Sequence, residues 1–217
     1  MSPPTKRVYA GKSASDRASE RVHRLLDAAL DLFGTRGYAS TTIELLCSRS
    51  NVSTRSFYSE VGGRPELLKM LVTRLNDAGS AAAVAALNNS AGRTITETVA
   101  AGIRAYLGET CANRRTARVC YVEIVGVSTD IEQWRSGQRE LIVSMFAEAG
   151  RAAAERGEIA ENDYRLLTLA MIGAANLFAQ EWSLSTPSDG EGTENNSSFG
   201  PFVDQIVSLT DAVLTVS

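Results

Sequence analysis

Apolar residues recur at Val22, Leu25, Leu26, Ala29, Leu30 and Phe33 with polar residues between them. This i, i+3, i+4, i+7 spacing predicts a first helix with one buried face. It ends near Gly37, because glycine accepts the left-handed backbone common at helix C-termini. "TTIE", from Thr41 to Glu44, has the spacing of a capping box, and Ile43, Leu46 and Cys47 form a short stripe behind it. A second helix of about two turns follows from that stripe. Asn51 can then adopt the left-handed conformation, Val52 plugs the corner, and Ser53 caps a third helix whose inner side is Phe57 with Val61. In "GGRPELLKMLVTRL" Pro65 suits the first helical position, and Leu67, Leu68, Leu71 and Leu75 give a fourth helix its stripe.

Beyond it the pattern stays helical, with segments placed at 94–112, 116–126, 129–157, 163–184 and 200–215 and no alternation of period two that would mark a strand. Residues 1–18 are rich in small, polar and breaker residues with Lys6, Arg7, Lys12 and Arg17 among them, and read as a flexible basic arm. "TPSDGEGTENNSSFGP", residues 186–201, reads as a disordered loop. The expectation is an all-α chain: an arm (1–18), a small three-helix domain joined outward by a fourth helix (19–78), and a larger helical domain (79–217).

The helix at 163–184 contains "LLTLAMIGAANLF", apolar on most sides. The last helix carries two apolar rows, Phe202, Ile206, Leu209, Val213 and Val203, Val207, Leu214. A helix apolar all round must be covered on more than one side. Gly173, Ala174 and Ala175 would admit a close partner helix, so these two helices and their copies are expected to form a four-helix homodimer interface.

Charge changes this picture. The chain carries −3 overall, but Met1–Arg64 holds ten Lys and Arg against six Asp and Glu (+4), and the remainder holds twelve against nineteen (−7). A basic head on an acidic body fits an anionic partner at one end. The three cysteines, Cys47, Cys111 and Cys120, and the single His23 match no metal spacing, so neither a metal nor a cofactor is expected. No long uncharged apolar run occurs, and Met1–Arg21 lacks the apolar middle of a secretion signal, so the chain reads as cytoplasmic with no membrane partner. There is no P-loop, dinucleotide glycine fingerprint or HExxH, which leaves an enzyme on a helical scaffold a distant alternative.

Two short helices crossing at a tight turn, the second polar on its outer side, describe a helix-turn-helix whose last helix enters the DNA major groove. Thr54, Arg55 and Ser56 stand on that outer side, and Arg55 can pair bidentately with guanine O6 and N7. Tyr58, Ser53, Thr42 and Arg64 suit phosphates.

The stretch "RVHRLLDAALDLFGTRGYASTTIELLCSRSNVSTRSFYSEVGGRPELL" resembles the N-terminal domain of the TetR family of bacterial transcriptional repressors. The likeness lies in a helix ending in Phe and then Gly-Tyr, a Thr-Thr start to the second helix, and Val-Ser with Tyr five residues after the Ser, over about 19–78. It implies DNA contact by Thr42, by Ser53 to Ser56 with Tyr58, and by Arg64. It also implies a homodimer on a near-palindromic operator of double-stranded DNA, with a helical body that holds a small-molecule effector. Asn51 departs from the family's usual Gly. Glu60 places a carboxylate near the phosphates unless Arg55 or Arg64 neutralises it, and Gly34 inside the first helix costs roughly 1 kcal/mol against Ala.

In the second half, Glu123 is the one charge between Val119 and Val127. It meets a cationic or hydrogen-bonding effector, or it sits on the wet face of its helix or pairs with the nearby Arg118. Tyr106, Cys120, Tyr121, Trp134, Phe146, Phe178 and Trp182, with Met145, line an effector pocket or form ordinary core. Cys111 and Cys120 read as structural, since Glu109 and Glu123 oppose thiolate formation. The resulting expectation is a homodimeric repressor released from its operator by a small molecule. A DNA-binding regulator without a small-molecule ligand is the alternative.

Overall fold

The computed structural model describes residues 13–185 and 199–215, and among them there are nine α-helices and no strand. α1 (Ala14–Arg36), α2 (Ile43–Ser50) and α3 (Thr54–Glu60) form the head. α4 (Arg64–Asn88) runs from it into a body of α5 (Ile95–Thr110), α6 (Arg114–Arg118), α7 (Thr129–Glu155), α8 (Tyr164–Leu184) and α9 (Gly200–Thr215).

α1 begins earlier than its apolar stripe suggests. Ser13 accepts from the Asp16 backbone N–H at 3.0 Å, and the Asp16 carboxylate accepts from the Ser13 N–H at 3.0 Å. This capping box draws residues 14–18, read from sequence as arm, into the helix. The capping hydroxyl holds the Asp16 carboxyl below its ordinary range. The remainder of the arm, residues 1–12, and most of the 186–201 insert, residues 186–198, lie outside the described residues. The insert's last three residues do not belong to a loop: Phe199 is buried with its ring 4.8 Å from that of Trp182, and α9 starts at Gly200.

One core unites α1 to α4. Leu25, Ala29, Phe33, Leu46, Phe57, Leu67 and Leu71 meet there, and Val119, Ile124 and Ile131 from the body extend the same cluster. A second core joins Leu107, Ala117, Ala179 and Trp182 to Phe199, Val203 and Ile206. The helix expected at 116–126 is instead a short α6 followed by a π-helical turn, Val119–Glu123. Such turns interrupt a helix where side chains must be re-aimed. On α8, Leu166, Ala170, Gly173, Leu177 and Leu184 are exposed at helical spacing, beside exposed Leu209 on α9. Ala175 faces inward, toward the second core, so Gly173 is the small residue that offers an open side.

Candidate nucleic-acid interface and internal cavity

Asn51 closes α2 with φ 52° and ψ 48°, the left-handed geometry its sequence position suggested. Its neighbour Val52 is buried, and the Val52 N–H donates to the Cys47 carbonyl at 3.0 Å. Ser53 then caps α3, accepting from the Ser56 N–H at 3.1 Å and donating to the Ser56 hydroxyl at 3.0 Å. The capping box at Thr41 does not form. Thr41 is buried and donates to the Gly37 carbonyl at 2.8 Å, and the exposed Thr42 caps α2 by accepting from the Leu45 N–H at 3.2 Å. Shifting the cap by one residue lets Thr41 tie α2 to the end of α1.

Phe57 is fully buried, which fixes the rotation of α3 and turns Ser53, Thr54, Arg55 and Tyr58 outward, with Ser56 half-buried. Tyr58 is 54% exposed and packs its ring edge-on against Phe57, 5.6 Å between centroids. Arg55 is exposed and makes no ion pair or hydrogen bond among the described residues. Three other guanidiniums of the head, those of Arg21, Arg49 and Arg64, are engaged, whereas Arg24 and Arg36 on α1 are exposed like Arg55. Arg49 pairs with Asp31 at 2.8 Å, and the Arg21 Nε donates to Glu60 at 2.7 Å. Arg21, not Arg55 or Arg64, therefore neutralises the carboxylate that threatened the DNA face.

Arg64, read from sequence as a phosphate contact, is also bound to the head's own backbone. Its Nη1 donates to the carbonyls of Thr41 and of Tyr38, the latter at 3.3 Å, and its guanidinium lies 4.8 Å from the centre of the Tyr38 ring. The side chain thus anchors the turn before α2. Arg64→Lys keeps the charge but not the planar fork. It is expected to lower the unfolding free energy by about 1 kcal/mol in urea titrations while leaving the salt dependence of DNA binding unchanged. Unaltered stability would return Arg64 to a phosphate role.

Sequence reasoning missed the seam between head and body. An ideal Cβ on Gly34 would stand 2.6 Å from the Arg115 Cβ, so α1 and α6 cross at a distance only glycine permits. Asp31 bridges Arg49 of α2 and Arg115 of α6, the latter at 3.4 Å. Glu123 sits on the same seam. It accepts from the Tyr38 backbone N–H at 2.6 Å and from the Arg118 Nε at 2.7 Å, and Arg118 donates to the Thr35 carbonyl at 3.3 Å. Glu123 is accordingly a tie between the π-helical turn and the end of α1, not a lining residue of the cavity. A glycine in mid-helix was the one signal of this contact in the sequence.

Within the body lies a cavity of ≈ 340 Å³ walled by α4, α5, α7, α8 and α9. Of the residues singled out from sequence, Tyr106, Tyr121 and Phe146, with Met145, line it. Four others do not, besides Glu123. Cys120 is buried in the π-helical turn, and Trp134 packs on the head's core with Lys69 over its ring at 5.5 Å. Phe178 packs with its ring tilted against that of Phe202, 5.8 Å between centroids, and Trp182 packs against Phe199. These large rings are better buried in cores than left on a wall. The missed walls are smaller aliphatics, above all Ile95, Val99 and Ile103 on α5, whose spacing of four was the available signal.

Burial pushes the Cys111 thiol up to about 12 and raises Cys120 as well. Both are therefore neutral thiols at pH 8, and both are buried. Neither is expected to react with a disulfide reagent in the native protein within the time that labels an unfolded control. Labelling at equal rates would contradict this.

Residues 25–69 match the profile of the bacterial regulatory proteins of the tetR family. No curated protein matches the chain in sequence. Solved structures resemble the fold over nearly its whole length. A tetR-family regulatory protein from Rhodococcus RHA1 is 18% identical, with 91% of this chain and 98% of that one covered and a TM-score of 0.65. The fatty acid degradation regulator FadR of Bacillus halodurans is 14% identical, with 91% and 96% covered and a TM-score of 0.70. FadR of Bacillus subtilis, solved in complex with stearoyl-CoA, is 15% identical, with 88% and 97% covered and a TM-score of 0.65. Residues 25–69, which hold the helix-turn-helix, thus carry the sequence pattern of the tetR family of bacterial regulatory proteins, and the chain as a whole has the fold of solved tetR-family regulators.

Proposed function

We propose that the protein is a homodimeric repressor that leaves a near-palindromic operator when a small molecule occupies the cavity. The head (19–78) reads DNA, the body (79–217) holds the effector and the partner, and α4 is common to both. One observation carries this reading: the outward, polar face of α3 stands on a head tied through Gly34, Asp31 and Glu123 to the helical layer behind which the cavity lies. Thr54, Arg55 and Ser56 reach base edges, while Thr42, Ser53 and Tyr58 contact phosphates. The exposed apolar row on α8 is the dimer surface. FadR of Bacillus subtilis, which shares this fold, was solved in complex with stearoyl-CoA, and the long apolar chain of that molecule, not its charged headgroup, is the likeness that supports an apolar effector here. The effector's power to release DNA equals its differential affinity for the two conformers.

Sedimentation of wild type and Leu177→Asp, each alone and on a duplex from its own upstream region, tests the assembly. Two wild-type protomers per duplex and a monomeric, weakly binding variant are expected. A single bound protomer, or an unaffected variant, would contradict the dimer.

A further inference from the structure

We propose that the cavity selects a neutral, mainly apolar molecule with one hydrogen-bonding group seated on Asn176, and rejects carboxylates, ammonium ions and phosphate esters. This rests on the ligand-responsive reading and narrows it. Among the described residues the cavity wall contains no Asp, Glu, Lys, Arg or His. Its three tyrosines, Tyr106, Tyr121 and Tyr164, stay neutral because burial raises each. An ionised group brought inside would lose its hydration and meet no counter-charge.

The protons of the wall's hydroxyls are largely committed, apart from that of Ser80, which stands exposed on α4. Tyr106 donates to Asn76 at 3.2 Å, Tyr121 and Thr110 share a bond of 2.7 Å, Thr168 donates to the Tyr164 carbonyl at 2.7 Å, and Thr210 to the Ile206 carbonyl at 2.8 Å. Among the described residues Asn176 is the only carboxamide on the wall, and its side chain makes no hydrogen bond to any of them. Its amide offers both a donor and an acceptor, so a ligand hydroxyl or carbonyl completes it.

The way in has the same character. Val84 (55% exposed) and Leu87 (37%) on α4 and Met145 (60%) on α7 belong to the wall and also reach solvent, which places an apolar mouth between those helices. A charged headgroup left at this mouth would rest on aliphatic side chains. The volume of ≈ 340 Å³ stands near the lower end of small-molecule sites, which span roughly 300–1,000 Å³.

The test uses the full chain and the neutral fluorescent probe N-phenyl-1-naphthylamine at pH 8, displaced by four compounds with one ten-carbon chain: 1-decanol, decanoate, decyltrimethylammonium and decanoyl-CoA. Decanol is expected to displace the probe at a concentration roughly tenfold or more below the other three. Asn176→Leu is expected to weaken decanol roughly fivefold to tenfold with probe binding retained. Val99→Trp, verified as folded by circular dichroism, is expected to lose the probe. Displacement by a charged member at equal or lower concentration overturns the neutral class and leaves the ligand-responsive reading standing. Unchanged decanol affinity in Asn176→Leu overturns the anchor, and retained probe binding in Val99→Trp overturns the location. Failure of the probe and all four compounds to bind removes the ligand-responsive reading itself.

Discussion

Gly34→Ala is expected to destabilise the protein by about 1–2 kcal/mol, although alanine is the better helix former by roughly 1 kcal/mol. The added methyl meets the Arg115 Cβ at 2.6 Å and the Arg115 Cα and carbonyl oxygen at 3.0 Å. Backbone cannot swing aside as a flexible side chain would, so α1 and α6 must separate. Separation also lengthens the Asp31–Arg115 pair and strains the bond from the Tyr38 N–H to Glu123. Urea denaturation of wild type, Gly34→Ala, Arg115→Gly and the double variant would measure the coupling. The Gly34→Ala cost should shrink when the Arg115 Cβ is absent. A more stable Gly34→Ala protein would mean that α1 and α6 do not cross this closely. Because the seam joins head to body, the same substitution should also change how far an effector weakens DNA binding.

Arg55→Ala is expected to cost about 1 to 3 kcal/mol at the operator and to relax base choice at one position of each half-site. The reasoning is by position: Arg24 and Arg36 are exposed too, but they stand on α1 and not on the outward face of α3. Arg21, Arg49 and Arg64 are held by Glu60, Asp31 and the carbonyls before α2, whereas Arg55, the only basic residue of α3, projects freely from its first turn. A guanidinium there matches the paired acceptors of guanine. Anisotropy titrations on the operator and on single-base variants of it check this. A uniform loss across all sequences would assign Arg55 to phosphate, and no loss would remove it from the interface.

The helix-turn-helix was legible in the sequence because each step of it is local chemistry. Asn51 dictates its own left-handed turn, Ser53 caps the helix that follows it, and Phe57 points that helix. Helix ends in the body were legible for the same reason: Thr94, Ser128 and Asp163 each cap the helix that follows. The identity of the cavity wall was not. Phe178 and Trp182 belong to a core completed by Phe199 and Phe202, which lie across an insert of polar residues. Which aromatic meets which depends on contacts far apart in the chain, and periodicity is silent about them. Glu123 was legible only as a charge that needed a partner. Arg118 was one of the partners foreseen, and the Tyr38 N–H, 85 residues away, was not.

The central claim, that two copies of α3 read one DNA site, is tested most directly by selecting bound duplexes from a random pool with the full-length protein and sequencing them. The account predicts enrichment of an inverted repeat whose half-sites lie about one helical turn apart, 34–36 Å, or a multiple of it, and loss of base preference within each half-site for Arg55→Ala. Enrichment of no sequence, or of an unrepeated site indifferent to Arg55, would contradict it.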